Sequence, residues 1–338
     1  MKQKDLKDMF DDLGSVKSSA WGDLEDKFWN NPTYERFKKR YLEITEKGDI
    51  DVFTTVVNMK HTRDGDEHQG VIASGRSKEL YVEKTGMNKK SAYNIGAFKE
   101  KVIVNGTNMR VSSFPKKLTK SYVFFYTDPG DTVLDPFSGH NSRMSAVVET
   151  GRNYIGYDVA KYYVELIKEE YEKYDSSKVG KLTMHWESSE NIMEADNTVD
   201  FIFTSPPFWN AEGYDDDPRQ IGGRLSKIGS DVSYEQFLNN YQKIINQCYR
   251  VLKPGHFIGF NVEDLYRKGE LYTLGVDTVD AFKRAGFTMT SIVTTPYNSV
   301  AKSYRIQKIV NGHIGKAHGY IIFARKGERL KIGERNDI

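Results

Sequence analysis

The chain has 338 residues, of which 38% are hydrophobic, so it can bury one full α/β core and have about a hundred residues left over. Its 49 basic and 47 acidic residues give a formal net charge of +2, which neither requires nor excludes a nucleic-acid partner. Apolar runs of about eighteen residues and a signal-peptide core are both missing, so we expect a soluble, cytoplasmic protein. Cys248 is the only cysteine, which excludes an intrachain disulfide and a cysteine zinc cluster.

Residues 1–110 come before the region in which strand and helix patterns alternate. Trp21–Lys47 mixes aromatic and charged residues near a helical period, which predicts one or two amphipathic helices. β-like runs follow at Val52–Met59 and Val102–Val104, and Asn105-Gly106 is a hairpin-turn signal. We expect an N-terminal α+β extension here, which is either a DNA-recognition region or a cap that reads no sequence.

From residue 111 to residue 326 the chain reads as one α/β domain, and a polar tail follows over residues 327–338. Alternating strands and helices predict a mostly parallel, doubly wound sheet of seven strands. A turn is expected at Lys253-Pro254-Gly255, and the glycine-containing loop Trp209–Val232 is long enough to act as a lid. The predicted helices span residues 118–126, 142–150, 160–174, 234–252 and 276–285, and the predicted strands 133–134, 154–157, 182–186, 199–204, 257–260, 288–293 and 320–324.

Two stretches of this domain carry chemistry. In the first, a short apolar strand runs into the turn Asp135-Pro136-Phe137-Ser138-Gly139, and a second strand ends at Asp158, 23 residues after Asp135. That is the spacing at which nucleotide-binding folds place an acid on a pair of ribose hydroxyls. A third strand is followed by Glu187. In the second stretch, Thr204-Ser205-Pro206-Pro207-Phe208 ends a strand with a stiff polar loop, which by itself is also compatible with a plain rigid turn.

These stretches resemble motifs of the DNA N4-cytosine/N6-adenine methyltransferase family. Asp135–Gly139 is similar to its S-adenosylmethionine motif, and Thr204–Phe208 to its catalytic Pro-Pro-aromatic motif. A third element, Phe114-Pro115-Lys116-Lys117-Leu118 followed by Gly130-Asp131, resembles the family's Lys-Pro-x-x-Leu element. Together the three motifs cover about residues 111–326.

The resemblance implies a Rossmann-like, seven-stranded class I methyltransferase fold, S-adenosylmethionine as cofactor, and double-stranded DNA with one base flipped out as substrate. In the catalytic motif, the side chain of Ser205 and the backbone carbonyl of Pro206 would accept the N–H groups of the target amine. Pro207 would remove a competing donor, and Phe208 would stack on the base. The residues that would contact the donor are Pro115, Asp135, Phe137, Gly139, Asn141, Arg143, Asp158, Glu187 and Thr204. No metal is expected, because the seven histidines lack ligand spacing.

This sequence departs from the family pattern at the donor motifs. Asn141 replaces a second turn glycine, Arg143 replaces a threonine, and Phe114 replaces the motif lysine. We expect Arg143 to bring a cation near the donor's carboxylate, and a donor with an additional acidic group is a second hypothesis. The donor motif also precedes the catalytic motif, whereas some family members have the reverse order.

The first position of the catalytic motif bears on the target base. Ser205 occupies it, which favours N4 of cytosine over N6 of adenine. Contacts with DNA phosphates are predicted for basic residues of one later loop, namely Lys302, Arg305, Lys308 and Lys316. Two alternatives stay open: a methyltransferase of RNA or of a protein amide nitrogen, and a catalytically decayed relative that binds DNA. The resemblance is compatible with a prokaryotic or phage-encoded protein.

Overall fold

The computed structural model describes the residue ranges 29–30, 32, 35–47, 99–104, 107–112, 114–211, 217–223, 232–267, 269–296, 312 and 318–328, with 99–104 and 107–112 described by backbone alone. The chain divides into two compact units, residues 1–48 with 329–338 and residues 49–328. The first unit contains helix α1 (Glu35–Lys47), which buries Ile44, and the rings of Trp29 and Tyr41 meet edge to face. The domain boundaries at residues 110 and 326 stay predictions.

The second unit begins, in its described part, with an antiparallel hairpin of β1 (Lys99–Val104) and β2 (Thr107–Ser112). Val104 pairs with Thr107, so the two strands flank the predicted turn signal at Asn105-Gly106. The hairpin prediction is therefore confirmed for the two strands.

The main sheet and its helices follow in regular alternation. Helix α5 starts at a capping box of Ser233 and Gln236, and helix α6 ends where Gly286 takes a left-handed conformation with φ 98°. The elements are α2 (Lys116–Tyr126), β3 (Thr132–Asp135), α3 (Ser142–Val148), β4 (Asn153–Tyr157), α4 (Lys161–Tyr171), β5 (Leu182–His185), β6 (Val199–Thr204), α5 (Tyr234–Val251), β7 (Leu252–Val262), β8 (Leu265–Arg267), β9 (Glu270–Tyr272), α6 (Leu274–Ala285), β10 (Phe287–Pro296) and β11 (His318–Lys326).

The seven strands of the main sheet lie in the order β10-β11-β7-β6-β3-β4-β5. β5, β4, β3, β6 and β7 are parallel neighbours, while β11 is antiparallel to β7 and to β10. The predicted doubly wound sheet is confirmed. The chain winds outward from β3 to β5 and then returns to β6 on the other side of β3. Ligands of such sheets bind at the carboxyl ends of the strands where this reversal occurs, so β3, β4 and β6 position the site.

Strand β6 runs through the middle of the core. All six of its residues are buried, and the rings of Phe201 and Phe203 stack 5.8 Å apart. On helix α5, Cys248 is fully buried. Burial raises the pKa of its thiol, so this cysteine is an inert packing group.

One local prediction needs correction, and one hairpin was not predicted. The expected turn at Lys253-Pro254-Gly255 is an irregularity inside β7, because pairing with β6 passes from Val199↔Leu252 directly to Phe201↔Phe257. Gly255 has φ 77° there, which lets the strand bulge without ending. The hairpin β8–β9 was not predicted, since each of its strands has only three residues. In the described part of the chain, no helix has the length and apolar character needed to span a bilayer.

Candidate active site

Asp135, at the end of β3, is the centre of the site's buried hydrogen-bond network. Its side chain is fully buried, and its carboxylate accepts bonds from Arg143 Nε at 2.6 Å, Tyr154 Oη at 2.8 Å and Thr204 Oγ1 at 2.5 Å. The amide of Phe137 donates to it at 3.2 Å. Burial raises the pKa of Tyr154 far above its ordinary value, so this phenol stays protonated as a donor. A buried charge is costly unless it is paired and hydrogen-bonded, and these donors meet that requirement for the Asp135 carboxylate.

Arg143 binds the backbone of the turn Asp135–Gly139, which is called the donor turn from here on. Its side chain is 6% exposed, and its NH2 group donates to the carbonyl oxygens of Phe137 and Ser138. The guanidinium also lies 5.3 Å from the ring centre of Phe114. Burial alone would lower the pKa of Arg143, but the charge of Asp135 reverses this and the pKa is raised. The cation that we expected near the donor's carboxylate is therefore neutralised within the protein by Asp135.

The turn itself depends on one glycine. Gly139 has φ 51°, a left-handed conformation that favours glycine. Asn141, in contrast, has φ −63° and ψ −10°, which any residue adopts. The second glycine of the family pattern is therefore not required by the backbone of this chain.

Asp158 follows β4 beside this turn. Its carboxylate accepts bonds from the amides of Gly139 and Ala160, both at 2.8 Å. Burial raises the pKa of Asp158 to about 6. The two amides use one acceptor position on each carboxylate oxygen, and each oxygen has a second. Asp158 can therefore still accept bonds from a pair of hydroxyl groups.

A polar ligand also fits the start of α3. The hydroxyl of Ser142 is buried and, within the described residues, has no hydrogen-bond partner. Buried polar atoms are rarely left in this state unless a ligand or water completes them. The orphaned hydroxyl and the acceptor capacity of Asp158 suit a donor with an amino-acid end and a ribose.

The other predicted donor residues lie around this centre. Pro115 is buried directly before α2. Glu187, two residues beyond β5, has a side chain that is 41% exposed and pairs with Arg219 at 3.2 Å. Arg219 also lies over the half-exposed ring of Trp186, at 5.6 Å. Glu187 is thus near the predicted donor edge, with a cation from the loop after the catalytic motif as its partner.

The catalytic motif begins at Thr204, the last residue of β6, and continues beyond the strand. Pro206 and Pro207 are buried, while Ser205 and Phe208 are partly exposed. Trp209 has φ 46°, one of two left-handed residues other than glycine in the described chain, and its indole donates to the carbonyl of Val232 at 2.8 Å. A strained backbone that is held in this way fixes the direction in which the loop leaves the sheet.

Part of the predicted lid packs against the catalytic motif. Ile221 is 4% exposed in the core, and the amide of Gly223 donates to the carbonyl of Trp209 at 2.9 Å. A Cβ added to Gly222 would lie 2.9 Å from Cβ of Pro207, so the two backbones are in close contact. Residues 217–223 therefore support the motif, while 212–216 and 224–231 lie outside the described residues.

Sequence reasoning missed Asn261 and Tyr154. Asn261 Nδ2 lies 3.2 Å from Ser205 Oγ, and Tyr154 donates to Asp135. No sequence motif marks Asn261; its place follows from the parallel alignment of β6 with β7, which pairs Thr204 with Phe260 and brings the next residues together. The predicted DNA contacts Lys302, Arg305, Lys308 and Lys316 fall in a segment that the structure does not describe.

The strand order and this site define the class. The antiparallel β11 beside five parallel strands, the glycine turn after β3 and the acid after β4 make a Rossmann-like class I methyltransferase fold. The chain belongs to the DNA methylase family of the N6/N4 type, which its sequence matches over residues 16–169 and 199–336. S-adenosylmethionine is accordingly its cofactor.

Curated relatives agree with this family. The chain is 38% identical over 60 residues to the type II methyltransferase M.MjaI of Methanocaldococcus jannaschii and 31% identical over 61 residues to the orphan methyltransferase M.BamHII of Bacillus amyloliquefaciens, each match covering 18% of this chain. It is 26% identical over 122 residues, or 32% of its length, to the type II beta methyltransferase M.BslI of a Bacillus species. These matches span 20%, 23% and 12% of the respective relatives.

Solved structures resemble the chain over 61% of its length. A SAM-dependent methyltransferase from Methanosarcina mazei covers 61% of this chain and is itself covered over 97%, with 13% identity and a TM-score of 0.43. A SAM-dependent methyltransferase from Aquifex aeolicus also covers 61% of this chain and is covered over 88%, with 16% identity and a TM-score of 0.38.

Proposed function

We propose that this protein methylates the exocyclic amine of a base in double-stranded DNA, with N4 of cytosine favoured over N6 of adenine. The 2.5 Å hydrogen bond between Thr204 and Asp135 carries the proposal, because it joins the strand end that precedes Ser205 to the turn that begins at Asp135. The match to the DNA methylase family supports DNA as the substrate. Ser205 at the first motif position supports the choice of cytosine.

The residues of the motif suit an amine acceptor. When bound, S-adenosylmethionine supplies an electrophilic methyl group on a sulfonium sulfur. An exocyclic amine is weakly basic, because its lone pair is delocalised into the base. Acceptance of its two N–H bonds by Ser205 Oγ and the Pro206 carbonyl would turn the lone pair out of the ring plane. Pro207 has no N–H that could compete for these acceptors, and alignment of this kind accounts for much of the rate in such a reaction.

The base has to leave the duplex to reach this loop. We propose that it is flipped out and that Phe208 stacks on it. Phe208 packs against the core while part of it stays exposed. That exposed part is available to a base.

DNA phosphates would be bound by Lys302, Arg305, Lys308 and Lys316, the basic residues of the segment that joins β10 to β11. Replacement of Lys302, Arg305 and Lys308 by Ala would weaken DNA binding and flatten its dependence on salt, because each phosphate contact releases about one counterion. A matched triple change of Lys168, Lys173 and Lys178, which are exposed on α4 and just after it, serves as control. If DNA binding depends on salt concentration equally in the two triple variants, these basic residues do not contact the DNA phosphates.

The substrate class is tested by supplying the purified protein with S-adenosylmethionine carrying a labelled methyl group, together with DNA, RNA or a protein mixture. We expect label in DNA, none after Ser205→Ala, and full activity after Ser177→Ala, a change of an exposed serine. Label in RNA or protein instead would reassign the substrate. Donor binding without transfer to any of them would mark a decayed enzyme.

A further inference from the structure

Ser205 has a neighbour that the catalytic motif does not contain. Strands β6 and β7 are parallel and pair Thr204 with Phe260, so the next residue on each strand, Ser205 and Asn261, emerge side by side at the carboxyl edge of the sheet. Nδ2 of Asn261 donates to Ser205 Oγ at 3.2 Å. The Ser205 hydroxyl in turn points to the backbone carbonyl of Asn261 at 3.4 Å. Within the described residues, these are its two hydrogen-bond contacts.

This arrangement determines what Ser205 offers to a substrate. A hydroxyl has one proton to donate and two lone pairs with which to accept. Its proton is turned back to the carbonyl of Asn261, in a contact that is long and weak by itself, while the Asn261 amide occupies one lone pair. One lone pair remains, so a substrate meets Ser205 as an acceptor. An amine, which brings N–H groups, matches it; a ring nitrogen or carbonyl oxygen does not.

The side chain of Asn261 is not required to hold its own strand. Its backbone is paired with Ile321 of β11 in the antiparallel ladder, and its side chain is only partly buried. A change of this side chain is therefore expected to leave β7 in place and to act on Ser205.

We propose that Asn261 is a positioning residue that makes the Ser205 hydroxyl an acceptor and so contributes to the selection of an amine as target. The inference rests on the proposed function, since it gives Asn261 a role only through a catalytic Ser205. It adds a second residue to the acceptor arrangement, and it explains how a serine can fill a role that needs a directed lone pair.

The test compares Asn261→Ala and Asn261→Asp with the wild type in DNA methylation, with donor affinity measured by calorimetry. For Asn261→Ala we expect kcat to fall about 2- to 10-fold, the usual effect of one lost hydrogen bond, with donor affinity unchanged. The carboxylate introduced by Asn261→Asp cannot donate when ionised, so this variant should lose at least as much at pH 8.5. With an ordinary pKa of about 3.9 this carboxyl is ionised at pH 5.5 as well, so the loss should persist from pH 8.5 down to pH 5.5.

Asn246→Ala and Asn246→Asp on the exposed face of α5 are the matched controls and should follow the wild type at every pH. If Ser205→Ala is inactive while Asn261→Ala matches the wild type, or if Asn261→Asp is as active as the wild type at pH 8.5, the inference is wrong and the proposed function stands. A wild type that methylates no DNA overturns both.

Discussion

The hydroxyl of Thr204 and the carboxylate of Asp135 lie 2.5 Å apart, although 69 positions separate them in the chain. Thr204 is the last residue of β6 and directly precedes Ser205, while Asp135 ends β3 and begins the donor turn. Both side chains are fully buried, so the bond is shielded from water. A displacement of either motif therefore moves the other.

Replacement of Thr204 by Val retains the shape of the side chain and removes its O–H donor. Hydrogen bonds to buried charged groups contribute about 1–3 kcal/mol, so we expect the free energy of unfolding to fall by that amount and kcat to fall with it. Urea denaturation and DNA methylation measure the two effects. Thr204→Ser should retain most of both, and Thr183→Val, at an exposed position of β5, should change neither. An active, fully stable Thr204→Val would show that the motifs are positioned without this bond.

Replacement of Arg143 by Met leaves the Asp135 carboxylate buried without its cation. Removal of one partner from a buried ion pair costs about 3–5 kcal/mol, and the carbonyls of Phe137 and Ser138 lose their donor as well. We expect a large decrease in the free energy of unfolding, measured by urea denaturation. The double change Asp135→Asn with Arg143→Met removes the unpaired charge and should be more stable than Arg143→Met alone. Equal stability of the single and double variants would contradict the pairing.

The raised pKa of Asp158, about 6, predicts how donor affinity depends on pH. Ribose hydroxyls bind the ionised carboxylate, so affinity should increase as the pH rises toward 6, by up to about tenfold per unit, and level off above it. The donor-free protein should show the opposite sign in stability. Its native state binds more protons than its unfolded state between about pH 4 and 6, and stability therefore falls as the pH rises through that window.

Calorimetric titration with S-adenosylmethionine from pH 5 to 7.5 measures the affinity. Asp158→Asn should bind weakly with a flat profile, and Glu169→Gln, at an exposed position of α4, should retain the wild-type profile. A flat profile for the wild type would remove Asp158 from the donor site.

Replacement of Gly222 by Ala tests the support behind the catalytic motif. The added Cβ would lie 2.7 Å from the carbonyl oxygen of Trp209 and 2.9 Å from Cβ of Pro207, so the loop must shift. We expect kcat for DNA methylation to fall by at least tenfold, because small displacements of aligned groups have large kinetic effects. Donor affinity should stay within about twofold, since Asp158 and Gly139 belong to another turn. Unchanged kcat would mean that the loop tolerates the shift.

The sequence was sufficient to predict those features of the site that depend on residues close together in the chain. Each motif, its turn glycine and the acid after β4 are read from neighbouring residues, and the alternation of strands and helices determines which edge of the sheet they share. Asp158 and Gly139 accordingly lie side by side, joined by a 2.8 Å bond.

Contacts between distant segments could not be read in this way. The sequence shows an arginine at position 143 but does not show whether its side chain faces a ligand or Asp135. Only the packed structure shows that the guanidinium pairs with Asp135. Asn261 belongs to no motif, and its position beside Ser205 follows from the alignment of β6 with β7. The bulge at Gly255 resembles a turn in sequence because a glycine with positive φ serves both structures equally well.

The most direct test of the central claim is mass spectrometry of nucleosides from DNA of cells that express the wild-type chain or its Ser205→Ala variant. Methylation of an exocyclic amine predicts N4-methylcytosine, or else N6-methyladenine, in the wild-type sample and neither in the variant. Methyl groups on a ring carbon, or equal levels of the amine-methylated nucleosides in both samples, would contradict the account.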